Sequence, residues 1–226
     1  MKTLILLLAL VAASFSASAQ QATAPAGYSE MMAATITELN STGDPAQLKQ
    51  IVSKFERAAT AAPTDWLPAY YQAYGLLLTT FQTKEDAATK DKYLDQAEAA
   101  LTQARKLRGD ESELLVLQGY IYQARLGISP MDRSAKYSRL VSEVLGQAKG
   151  VNPANPRIYL VLGNNIYFTP KMFGGGPEAA KPFFEEGKTR FAAYQPSSPL
   201  APNWGERQLA SRLKAYEQSA GVQAAK

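Results

Sequence analysis

Apolar residues return every three or four positions along almost the whole of this chain, and proline, aspartate, serine or glycine interrupts the pattern at intervals. That period belongs to amphipathic helices, which must bury their stripes against one another. Ser29 to Leu39, with Met32, Ile36 and Leu39 on one side, predicts a first helix. Asp44-Pro45 then supplies a cap and a first-turn proline for a second, in which Leu48, Ile51, Val52, Phe55, Ala59 and Ala62 recur before Pro63 stops it. The spacing predicts a third helix from Trp66 to Phe81 behind Asp65, and a fourth beyond the polar stretch Gln82 to Asp91. A fifth spans Glu111 to Leu126, a sixth opens at Ser129-Pro130 and closes at Gly150, and a seventh runs from Pro156 to Phe168. The eighth is expected to start near Glu178, which leaves Pro182 close to the first turn, where it costs little. The last, Trp204 to Ser219, reads as a cap. The fold class expected is all-α: about nine helices in stacked antiparallel hairpins, ending in a C-terminal capping helix.

What holds such a stack together is narrowed by two absences. The sequence contains neither cysteine nor histidine. Stability therefore rests on buried apolar area, which a hydrophobic content of 46 % permits. Lack of both residue types removes most hydrolase triads and nearly all zinc sites. No enzymatic activity, cofactor or metal is expected. The formal charge is +4, one less without Lys2, and no basic cluster breaks its even spread, so nucleic acid is not implied.

Met1-Lys2, the apolar block Leu4 to Val11 and Ala17-Ser18-Ala19 have the layout of a secretory signal cleaved after Ala19. The apolar run is too short for the roughly 20 residues of a spanning helix, so stable membrane insertion is not expected. The expected organisation is a signal peptide over 1–19, a flexible lead over 20–27, a helical-hairpin domain over 28–219 and a flexible tail over 220–226. The expected location is exported, most simply periplasmic.

Small residues Ala73, Gly119 and Gly163 occupy matching places in the third, fifth and seventh helices. In the seventh, Tyr159, Leu162-Gly163 and Ile166 alternate large and small residues. In the eighth, Ala180, Phe184 and Gly187 do the same, and Pro196 stands where a unit would end. This pattern resembles the tetratricopeptide repeat, although those units are about 34 residues long and here the surplus must sit in the connections. A looser resemblance is to the T-component group of TRAP-type solute transporters. The first resemblance implies a scaffold that binds a protein or peptide partner in the cell envelope through a concave groove, and the second implies a helper that binds a small solute.

In tetratricopeptide proteins the first helix of each pair lines the groove. Counting from the small residue of each helix, the resemblance implies a tyrosine-rich groove with Tyr70, Tyr74, Tyr120, Arg157, Asn164 and Tyr167 as binding residues. Tyrosine combines a flat apolar face with one hydrogen-bonding end, which suits peptides or ring-bearing ligands. Aromatic stripes on helices also serve as ordinary core. Gly174-Gly175-Gly176 before the eighth helix could present backbone N–H groups to an anion, but the lysine and hydroxyl residue of a phosphate loop are missing, and a chain reversal is the simpler use.

Overall fold

A computed structural model describes residues 25–224, with side chains described through Gln218. The expected signal peptide, most of the expected lead, and the last two residues lie outside this range. The described residues are helical with no strand: α1 (Tyr28–Ser41), α2 (Pro45–Ala61), α3 (Leu67–Gln82), α4 (Ala87–Lys106), α5 (Glu111–Ile128), α6 (Pro130–Val151), α7 (Pro156–Phe168), α8 (Pro177–Ala193) and α9 (Glu206–Ala224). A 3-10 turn, Lys171–Phe173, lies between α7 and α8.

Polar caps set most of these boundaries. Asp44 accepts hydrogen bonds from Ala46 N and Gln47 N, Asp110 from Glu113 N, and Asn155 from Arg157 N. Each satisfies a backbone donor that a helix start leaves free. The fourth helix starts earlier than its apolar stripe suggests, because Asp86 accepts from Thr89 N and so opens a first turn whose only apolar residues are the exposed Ala87 and Ala88. The eighth starts at Pro177, not near Glu178, and encloses Pro182. Pro182 cannot donate to the Glu178 carbonyl one turn back, but it is exposed, so water can satisfy that oxygen.

The helices pack as hairpins, α1 on α2, α3 on α4, α5 on α6 and α7 on α8, and neighbouring hairpins meet through α3, α5 and α7. Small residues allow the close approach inside a pair. A Cβ on Gly163 would stand 2.5 Å from the Phe184 ring of α8, and one on Gly119 would stand 2.9 Å from Leu145 of α6. Gly75, the alternative small residue of α3, instead faces Val52 of the preceding hairpin. Gly187 admits Leu209, which seats α9 on α8. A largely apolar core, including Phe55, Leu77, Leu101, Leu117, Leu145 and Phe184, runs through all four hairpins. Between the second and third, Arg125 of α5 is buried and held by Asp91, Asp95 and Glu98 of α4.

The C-terminal segment does more than cap the stack. After α8 the chain crosses in front of α3 and α5 as an extended strap before entering α9. Tyr71 donates to the carbonyls of Leu200 and Ala201, and Tyr194 to that of Pro202. Asn203 accepts from the Asn40 amide at 2.8 Å, and Arg207 donates to the Asn40 carbonyl. Trp204, expected to begin the last helix, belongs to this strap. The C-terminal end of α1 is thus tied to the start of the last helix.

Candidate functional site

The inner face formed by α3, α5 and α7 divides into two parts. In the first, Trp204 packs over side chains that the sequence count assigned to the groove. Its indole stacks on Tyr74 at 4.6 Å and Tyr120 at 5.9 Å, and its Nε1–H donates to the Tyr70 hydroxyl at 2.8 Å. Tyr70 in turn donates to Glu113 Oε2 at 3.0 Å. Glu113 also binds Arg157: Nη2 reaches Oε1 at 2.7 Å, and Nε lies 3.0 and 2.9 Å from the two carboxylate oxygens. Arg157 is 0 % exposed. Burial opposes its charge, but the Glu113 carboxylate, through charge and hydrogen bonds, more than offsets this and holds the guanidinium pKa above the ordinary arginine value. Its guanidinium also lies 4.6 Å from the Tyr194 ring and 5.7 Å from that of Trp204.

The second part stays open. Phe81 of α3 lies 5.2 Å from Tyr120 of α5, and Tyr167 of α7 lies 5.1 Å from its exposed neighbour Phe168. Arg212 of α9 places its guanidinium 5.0 Å from the Tyr167 ring and 5.2 Å from that of Phe168. Burial pushes the Tyr120 phenol up to about 12, with the Arg212 charge pulling the other way. Asn164 shares a helix face with Tyr167, as Gln208 does with Arg212, by their three- and four-residue spacing. Asn164 Oδ1 and Gln208 Oε1 are both buried acceptors without a hydrogen-bonded donor. Flat aromatic faces and one cation therefore come together at the open part, while the Gln208 amide reaches back to donate to the Tyr74 hydroxyl of the covered part.

Of the six residues expected to bind, Tyr120, Asn164 and Tyr167 border this open part. Tyr70, Tyr74 and Arg157 lie on the inner face as the count places them, but beneath Trp204. Phe81, Phe168 and Arg212 escaped the sequence argument, which confined the groove to one stripe per hairpin and treated the last helix only as a cap. The glycine run forms a turn: Gly174 N–H donates to Lys171 O, Gly175 N–H to Pro170 O and Gly176 N–H to Ile166 O, so these amides are already used by backbone carbonyls. Among the described residues no cluster of acidic side chains could hold a metal ion.

No protein-family model matches the sequence, and no curated relative matches it. The HusA haemophore from Porphyromonas gingivalis does match by structure: TM-score 0.75 and 34 % identity, covering 84 % of this chain and 93 % of that one. The chain belongs to the HusA family. Its likeness to tetratricopeptide proteins accordingly stands at the level of stacked helical hairpins.

Proposed function

We propose that this protein binds a planar tetrapyrrole, the ligand class that the name haemophore assigns to its HusA relative, on the open part of the inner face. The observation that carries the reading is the Arg212 guanidinium set against Tyr167 and Phe168 beside Tyr120 and Phe81. Aromatic faces stack on a flat macrocycle, and a guanidinium pairs with the carboxylates at its edge. With no histidine or cysteine in the sequence, ring stacking and carboxylate pairing have to supply most of the affinity. A metal-free porphyrin should therefore bind nearly as well as haem.

The protein is a carrier in this account, and not an enzyme, working outside the cytoplasm after export. The alternative of a peptide laid along the full groove is less favoured, because Trp204 occupies that path and a peptide would have to displace it. Titration with haem and with metal-free protoporphyrin, followed by absorbance and tryptophan fluorescence, tests the proposal. Arg212→Ala and Tyr167→Ala should each weaken binding about tenfold, roughly 1.4 kcal/mol. Unchanged affinity in both variants would remove this site from consideration.

A further inference from the structure

We propose that the end of the stack formed by the α5–α6 and α7–α8 connections docks on an anionic lipid surface. Met131 at the start of α6, Phe168 at the end of α7, and Met172 and Phe173 in the 3-10 turn are 93 %, 68 %, 82 % and 70 % exposed. The alternation of the helices puts all four at the same end of two neighbouring hairpins. Isolated apolar side chains on a surface need no explanation, but a group of four large ones at one end marks a contact.

The turn that carries two of them is built to hold its shape. Gly175 N–H and Gly176 N–H donate to Pro170 O and Ile166 O at 3.3 and 2.9 Å. A Cβ on Gly175 would stand 2.3 Å from the Thr169 carbonyl oxygen, so a larger residue would force the turn apart. Met172 and Phe173 are thus presented outward by a pinned backbone.

The shape and charge of this end favour lipid over a protein partner. The four side chains project from three places, the start of α6, the end of α7 and the 3-10 turn. Such projecting apolar groups, with lysines alongside, suit shallow insertion at a headgroup boundary. Lys171 directly precedes Met172, and Lys136 lies on the second turn of α6; neither side chain forms an ion pair among the described residues. Of the nearby acids, Asp91 is paired with Arg125 and Arg133, while Asp132 accepts from the Ser129 hydroxyl and keeps its charge. Glu178 sits in the first turn of α8, where it complements the helix dipole. Arg212, whose guanidinium lies 5.2 Å from the Phe168 ring, joins Lys136 and Lys171 as a cation outside the ion pairs of the described residues, so cations outnumber the charged Asp132 and Glu178 at this end. Such docking is peripheral, in keeping with the absence among the described residues of any helix long and apolar enough to span a bilayer.

This docking stands on the exposed side chains and does not depend on tetrapyrrole binding. It is tested without tetrapyrrole, by sedimenting the full chain with vesicles of phosphatidylglycerol and phosphatidylcholine and with vesicles of phosphatidylcholine alone. The triple variant Met131→Ser, Met172→Ser, Phe173→Ser, whose changes lie outside the core, should keep the wild-type circular dichroism and bind the mixed vesicles at least about tenfold more weakly. Lys171→Glu should weaken binding to the mixed vesicles and leave the neutral ones unaffected. Any contribution of Leu4 to Val11 is common to every form compared and cancels. Equal sedimentation of wild type and triple variant, or no sedimentation of wild type, would overturn the proposal and assign this end to a protein partner.

Discussion

The covered and open parts of the inner face are made from the same residue types, tyrosines with one arginine each, yet they do opposite work. Around Trp204, Tyr70 and Tyr74 are fully enclosed, and Arg157 spends its hydrogen bonds on Glu113 and a backbone carbonyl. Around Arg212 the rings keep part of their surface exposed, and the guanidinium lies against them without a carboxylate among the contacts described above. Residue type does not separate structural from ligand-facing aromatics here. What separates them is whether another part of the same chain has already satisfied them.

The largest effect should come from breaking the covered part. Glu113→Ala leaves Arg157 buried without its carboxylate and should cost about 3–5 kcal/mol of unfolding free energy, measured by urea denaturation. A loss below about 1 kcal/mol would mean that the pair is not closed off from water. Trp204→Ala should cost about 3 kcal/mol through the cavity it leaves, and should expose Tyr70 and Tyr74 to solvent quenchers. Stability unchanged in that variant would show that the strap does not hold the inner face.

Alkaline pH should sharpen the same contrast. Burial raises the Tyr70 and Tyr74 phenols well above the ordinary tyrosine value of 10.0, and Tyr120 to about 12. The unfolded chain releases these protons near pH 10 while the folded one retains them. Their contribution is therefore intact below pH 10 and falls by about 1.4 kcal/mol per pH unit for each ring as pH rises above 10, levelling off near pH 12 for Tyr120 and later for Tyr70 and Tyr74. Urea midpoints at pH 8 and pH 11 would reveal this, and equal midpoints would contradict it. The smallest effect on stability belongs to the open part: Arg212→Ala should lower the unfolding free energy by no more than about 0.5 kcal/mol while weakening ring binding.

Helices were legible in the sequence wherever a cap and a proline coincided, as at Asp44-Pro45 and Asn155-Pro156. The start of α4 was obscured because its first turn carries no large apolar residue, and the first buried one is Leu94. Pro182 misled the placement of α8, since the cost of a proline inside a helix depends on whether the carbonyl it strands can reach water, which periodicity does not record. For the site, the tyrosines could be named from spacing, but their burial could not. The residue that covers Tyr70 lies 134 positions later in the chain. A lone tryptophan after a proline-rich connection, Pro199 to Pro202, was the available hint that this segment packs inward.

Hairpin arrays ordinarily tolerate the gain or loss of a unit, since each contacts only its neighbours. The strap's bonds to Asn40 and Tyr71 join residues 163 and 129 positions apart and tie the first two units to the segment that follows the last. Insertion or deletion of one hairpin would leave this tether too short or slack, so the number of units is set by the tail and not by the units themselves. Melting should accordingly be all-or-none instead of fraying inward from either terminus.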